Sequence, residues 1–193
     1  IGRSALPARS EMCIRDRLAL LSEHVESKSS PLQHSAIVGL GLAYAGSCRE
    51  EIVALLLPYV QDETTSIETA ALCVLSLGFV FVGSAHGEIV PSVLQMLMER
   101  EPSQLDNSWV QFISLGLALL FLSRQDASDA TIETLKAIEH PVSREAQILV
   151  DACSYAGTGN VLKIQSLLHD CAEHVTPDSK KEGGSEQTAN ESE

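Results

Sequence analysis

The sequence predicts an all-α protein, an α-solenoid of helix-hairpin repeats, and three observations predict it. The phrase GLAYAGSCREEIV at residues 41–53 returns as GFVFVGSAHGEIV at residues 78–90. Aromatic residues at Tyr44, Phe81, Phe121 and Tyr155 each stand two before a small residue, Gly46, Gly83, Ser123 or Gly157. Five before those lie Gly41, Gly78, Ala118 and Ala152, and the spacings of 37, 40 and 34 mark a helical repeat array. Finally, 45% of the 193 residues are hydrophobic but 4% aromatic. Leu, Ile, Val and Ala must fill the core, which suits stacked helices better than an aromatic-rich sandwich or barrel.

Along the chain, residues 1–17 (IGRSALPARSEMCIRDR) lack the repeat and read as a non-native or vector-derived leader. Helical patterning resumes near Leu18, and residues 18–175 form the expected repeat segment. Each unit divides into two helices. The first, as in Ser35–Ala45 and Ile67–Val82, is apolar nearly all round and rich in Gly, Ala and Ser, so it should be buried. Glycine weakens a helix by about 1 kcal/mol relative to alanine, and its repeated use predicts close backbone approach to a neighbour. Gly46-Ser47 and Gly83-Ser84 read as helix ends followed by the next helix's cap.

The second helix is amphipathic. In Glu50–Val60, Glu51 shares an exposed line with Leu55 and Pro58, which predicts a leucine shown to solvent. In Gly87–Arg100, Glu88, Ser92, Gln95 and Glu99 fall in one narrow sector, while Val90, Val93, Leu94 and Leu97 lie opposite. Pro91 is tolerated in the first turn, where its missing N–H costs little. In Asp129–His140, the stripe is Asp129, Glu133, Lys136 and His140, with Leu135 and Ile138 behind it. Thr69–Ala85 and Asn107–Ser123 carry no charge, but their polar residues and the lack of flanking Lys/Arg asymmetry make them buried helices rather than membrane spans. Residues 176–193 have almost nothing to bury and are expected to be a disordered acidic tail.

Composition and motifs exclude several functions. A net charge of −13 argues against nucleic acid, whose phosphates need a basic stripe. Five cysteines (Cys13, Cys48, Cys73, Cys153, Cys171), with no C-x-x-C pair and no secretory h-region, point to the cytoplasm or nucleus and to small buried apolar residues. Gly39-Leu-Gly41 continues as Leu-Ala-Tyr, with neither a dinucleotide fingerprint nor a P-loop lysine, and no G-x-S-x-G elbow is present. His169, Cys171 and His174 are stepped so that they do not converge as metal ligands. Cys48 sits near a helix start but has no evident base, and His86 reads as a surface loop residue. The expectation is a protein-binding repeat array, not an enzyme, without metal or cofactor.

The runs SAIVGLGLAYAGS, IETAALCVLSLGFVFVGSAHGEIV and EAQILVDACSYAGTGNVLKIQSLLH strongly resemble the proteasome/cyclosome repeats of the 26S proteasome non-ATPase regulatory subunit 2 family, over roughly Leu18 to Val175. The resemblance implies an arc of a toroid in the base of the regulatory particle. Its partners would be other regulatory-particle subunits and, on outer helices, ubiquitin and the ubiquitin-like domains of shuttle receptors. The family's acidic and polar docking triplet matches Glu88, Gln95 and Glu99, with Gln95 standing where some members carry a second carboxylate. Ser92, Glu51 and Leu55 complete the expected surface, and Met96 and Met98 would flank it with adaptable apolar area. The alternative is a purely structural assembly scaffold, in which Glu88 serves the helix dipole and Glu99 merely solvates an outer face.

Overall fold

The computed structural model describes residues 18–172. The expected leader and tail, the boundary at residue 175, Cys13 and His174 lie outside the described residues. No strand occurs among the described residues. The helices are α1 (18–25), α2 (Ser30–Ala43), α3 (Glu50–Gln61), α4 (Ile67–Val80), α5 (Ile89–Glu99), the single turn α6 (Pro102–Leu105), α7 (Val110–Leu120), α8 (Asp129–Lys136), α9 (Pro141–Ser154) and α10 (Val161–Ala172). The described residues up to Asn160 form one compact unit, and α10 belongs to a second.

In the first unit, α2, α4, α7 and α9 pack in that order as an inner row, while α3, α5 and α8 form the outer row against them. The solenoid of helical hairpins is thus realised. Its inner row is close-packed because glycines let backbones touch. A Cβ on Gly78 would lie 2.5 Å from the Gly116 carbonyl oxygen, and one on Gly116 would lie 2.6 Å from that of Val74. Gly41 likewise faces the Ser76 backbone at 2.8 Å. Between α4 and α7 the near-contact residue is therefore Gly116, two before the Ala118 that the repeat register singled out.

α4 is buried along almost its whole length, as its apolar circumference requires. α2 differs from expectation. Leu32 and Leu42 are 44% and 61% exposed, since its neighbours in the described residues cover a single side.

Each of the four register aromatics, Tyr44, Phe81, Phe121 and Tyr155, is the C-cap of an inner helix. The small residue two later turns left-handed every time, with φ of 70°, 65°, 59° and 74° at Gly46, Gly83, Ser123 and Gly157. Two residues further on the backbone turns left-handed again, at Cys48, Ala85, Gln125 and Gly159.

These turns join neighbouring repeats. The Gly46 N–H donates to the Phe79 carbonyl, Gly83 to Leu119 and Ser123 to Cys153, at 2.9, 2.9 and 3.0 Å. Cys48 and Ala85 donate to the carbonyls of Val80 and Leu120. Orphan carbonyls at one inner helix's end are thus satisfied by the preceding repeat's turn. Ser47 and Ser84 are not caps, however, because the outer helices begin later, with Arg49 and Glu88 in the cap position.

Among the described residues, no helix is long and apolar enough to cross a membrane. The two uncharged stretches became α4 and α7, of 14 and 11 residues.

Candidate functional site: the outer helices

α5 forms because Ile89, Val90, Val93, Met96 and Leu97 recur at helical spacing and bury against the inner row. Its opposite face leaves Glu88, Gln95 and Glu99 exposed, as the periodicity predicts. Gln95 has a definite role there: its Nε2 donates to Glu99 Oε1 at 2.7 Å. A carboxylate at that position would repel Glu99 one turn away, whereas the amide orients it. Glu88 makes no capping hydrogen bond with its side chain.

Three expected surface residues are placed differently. Ser92 is 8% exposed. Its hydroxyl donates to the Glu88 carbonyl at 2.9 Å and accepts from Gln61 Nε2 of α3 at 3.0 Å. Leu55, its equivalent one repeat earlier, is half-buried and packs against the core. In both helices the position four after the acidic residue turns inward, and the exposed line runs instead through Glu51, Ala54 and Pro58, and through Glu88, Pro91 and Gln95. For Ser92 the cause is the lateral contact between α3 and α5, which one helix's own periodicity cannot show. Met96 is buried at 4% exposure, so Met98, at 52%, alone supplies the flanking apolar surface.

Glu51 is exposed but engaged: Arg49 approaches it at 3.4 Å while lying over the Tyr44 ring. On α8, Asp129, Glu133 and Lys136 are exposed, with Lys136 and Glu133 paired at 2.6 Å. His140 leaves that stripe altogether and caps α9, its Nδ1 accepting from the Val142 N–H.

A cleft between α3 and α5 is lined by Gln61, Glu63, Ser92, Gln95, Glu99 and Arg100, among others. It encloses about 120 Å³, below the few hundred Å³ of a small-molecule pocket. Arg100, 7% exposed, donates to the Asp62 and Glu63 carbonyls just beyond the end of α3. Its charge is committed to those carbonyls, leaving the carboxylates to set the sign of this face.

Sequence reasoning missed Arg100, Gln61 and His86. His86 is half-buried, edge-on to Phe81, with Nε2 3.3 Å from Glu50 Oε1 and Nδ1 facing the N–H groups of Glu88 and Ile89. Its place two residues before Glu88 was the available signal. No group of three or more His, Cys, Asp and Glu residues among the described residues could hold a metal.

The proteasome/cyclosome repeat model matches residues 35–69, the span from α2 through α3 into α4. The chain is 52% identical over 139 residues to the 26S proteasome regulatory subunit rpn1 of Schizosaccharomyces pombe, covering 72% of this chain and 16% of that protein. It is 43% identical over 173 residues to the 26S proteasome non-ATPase regulatory subunit 2 of Dictyostelium discoideum, 90% of this chain and 19% of that one. The chain belongs to the 26S proteasome non-ATPase regulatory subunit 2 family. Similarity to the rpn-1 subunit of Neurospora crassa, 40% over 178 residues, extends across 92% of this chain and 19% of that relative. The chain thus spans less than a fifth of the length of each of these family members. The designation non-ATPase, borne by the Dictyostelium member, agrees with the non-enzymatic expectation.

Proposed function

We propose that this chain is a non-catalytic recognition and scaffold segment of the proteasome regulatory-particle base, binding ubiquitin or the ubiquitin-like domain of a shuttle receptor through its outer helices. The observation that carries this reading is the exposed face of α5, where Glu88 and a Gln95-oriented Glu99 stand beside exposed Met98. Ubiquitin presents an apolar patch bordered by basic side chains, which such a face complements. Rim charges act mainly through encounter rate and are screened by salt, so the complex is weak and salt-sensitive. Glu51 and the α8 stripe extend the surface on either side, with Ser92 supporting it from beneath and Leu55 anchoring α3. The same reading places the protein in the cytoplasm and nucleus, in contact with other regulatory-particle subunits, without cofactor, nucleic acid or membrane.

Calorimetric titration with ubiquitin at low and moderate salt tests it. Reversing Glu88 and Glu99 together to Arg should weaken binding about tenfold or more, each rim reversal being worth roughly 1 kcal/mol. Unchanged affinity would remove the site. The chain would then be read as an assembly scaffold whose acidic face is solvation alone.

A further inference from the structure

α5 has an unusual start. A residue that caps a helix with its own side chain takes an extended backbone so that the side chain can fold back over the first turn. Glu88 occupies the cap position with φ −105° and ψ −39°, in the helical region, and its carboxylate makes no such bond. The open N–H groups are met from two residues upstream. His86 Nδ1 lies 3.3 Å from the Glu88 nitrogen and 3.4 Å from that of Ile89.

An imidazole nitrogen that accepts carries no proton, so the ring hydrogen sits on Nε2, where it donates to Glu50 Oε1 at 3.3 Å. The ring cannot swing freely. It stands edge-on to Phe81, a residue 1% exposed, with centroids 4.8 Å apart, and its side chain is 18% exposed. One side chain therefore closes the start of α5 and ties it to the first residue of α3. Arg124 fixes the same loop from the next repeat by donating to the Gly83 and Ser84 carbonyls. The arrangement recurs at His140, whose Nδ1 accepts from Val142 N–H and whose Nε2 meets Asp106 Oδ1 at 3.3 Å. There it serves the inner helix α9, away from the acidic stripe.

We propose that His86 is a positioning residue for the partner-binding face: by capping α5 in place of Glu88 and bridging to Glu50, it leaves the Glu88 carboxylate to a partner and fixes the register of α3 against α5. This rests on the function proposed above. The outer helices are set before the partner arrives, so less ordering cost is met on binding.

The test is NMR titration of the chain with ubiquitin for wild type, His86→Ala, His86→Asn and His140→Ala, together with amide exchange. His86→Ala should weaken binding about three- to tenfold, the scale of losing a helix cap, and speed exchange at Glu88 and Ile89. His86→Asn, whose amide oxygen can accept from the same N–H groups but which lacks the nitrogen that meets Glu50, should restore slow exchange and part of the affinity. His140→Ala should leave affinity unchanged, which separates positioning from general loss of stability. If His86→Ala binds as tightly as wild type, or His86→Asn fails as badly as alanine, the positioning role is wrong. A wild-type chain that does not bind ubiquitin overturns the proposed function itself, and the positioning role with it.

Discussion

Cys73 is completely buried in α4, where burial pushes its thiol pKa up, whereas Cys48 is exposed on the turn after α2. A mapped thiol-labelling experiment should find Cys48 modified in the folded chain and Cys73 modified after unfolding alone, because access and thiolate fraction both limit the reaction. The expectation that the cysteines are small buried residues holds for Cys73 and fails for Cys48, since its position belongs to a left-handed turn. Tyr155 gives a pH prediction. Its hydroxyl donates to Asp126 Oδ1 at 2.7 Å, and that bond, with burial and nearby carboxylates, pushes its pKa up to about 12. A group raised in the folded state contributes stability that is intact below its unfolded value, near pH 10, and lost as pH rises toward 12. Ultraviolet titration should show a late-ionising tyrosine that Tyr155→Phe removes, and the variant's stability should fall less between those pH values. Ser92 and Leu55 show where residue-level reading stops. Both lie about 40° from the acidic residue on a helical projection, yet a neighbouring helix or the core takes them in.

The hairpins were the most legible elements, because their turns demand special residues. Gly46, Gly83 and Gly157 announce left-handed backbone, and the aromatic two before each marks the inner helix's end. Ser123, Ala85 and Gln125 were not legible in this way, since non-glycine residues rarely take positive φ and do so here where hydrogen bonds to the next repeat hold Ser123 and Ala85. Two substitutions separate these effects. Ala85→Gly should leave the melting temperature level or slightly raised, the left-handed conformation costing alanine about 1 kcal/mol. Gly83→Ala should lower it, because the new methyl meets both the positive φ and the Leu122 carbonyl at 3.0 Å. In the inner row, Gly78→Ala would drive a methyl into the Gly116 backbone. Overpacking of this kind costs about 1–3 kcal/mol, a drop of several degrees by calorimetry. Gly116 itself went unmarked because the register aligned Ala118, and the closest approach lies half a turn earlier.

For the molecule as a whole, fold and family are fixed by redundant signals: a register that occurs four times, the inner helices α2 and α7 without Asp, Glu, Lys or Arg, and phrases shared with the regulatory-subunit family. The site is less legible, because it is assembled between repeats. Gln61 of α3 reaches Ser92 of α5, Arg100 reaches back to Asp62 and Glu63, and His86 meets Glu50, each 31 to 38 residues away. Periodicity identifies which helix is wet; only the stacking of repeats decides which side of it remains so. The central claim is that the outer row, with α5 at its middle, is a negatively charged docking wall. Residue-resolved NMR of the isotope-labelled chain during ubiquitin addition tests it most directly. The account predicts shifts concentrated at Glu88, Gln95, Met98 and Glu99, with smaller ones on α3 and α8 and none along buried α4; shifts confined to other surfaces, or absent at saturating ubiquitin, would contradict it.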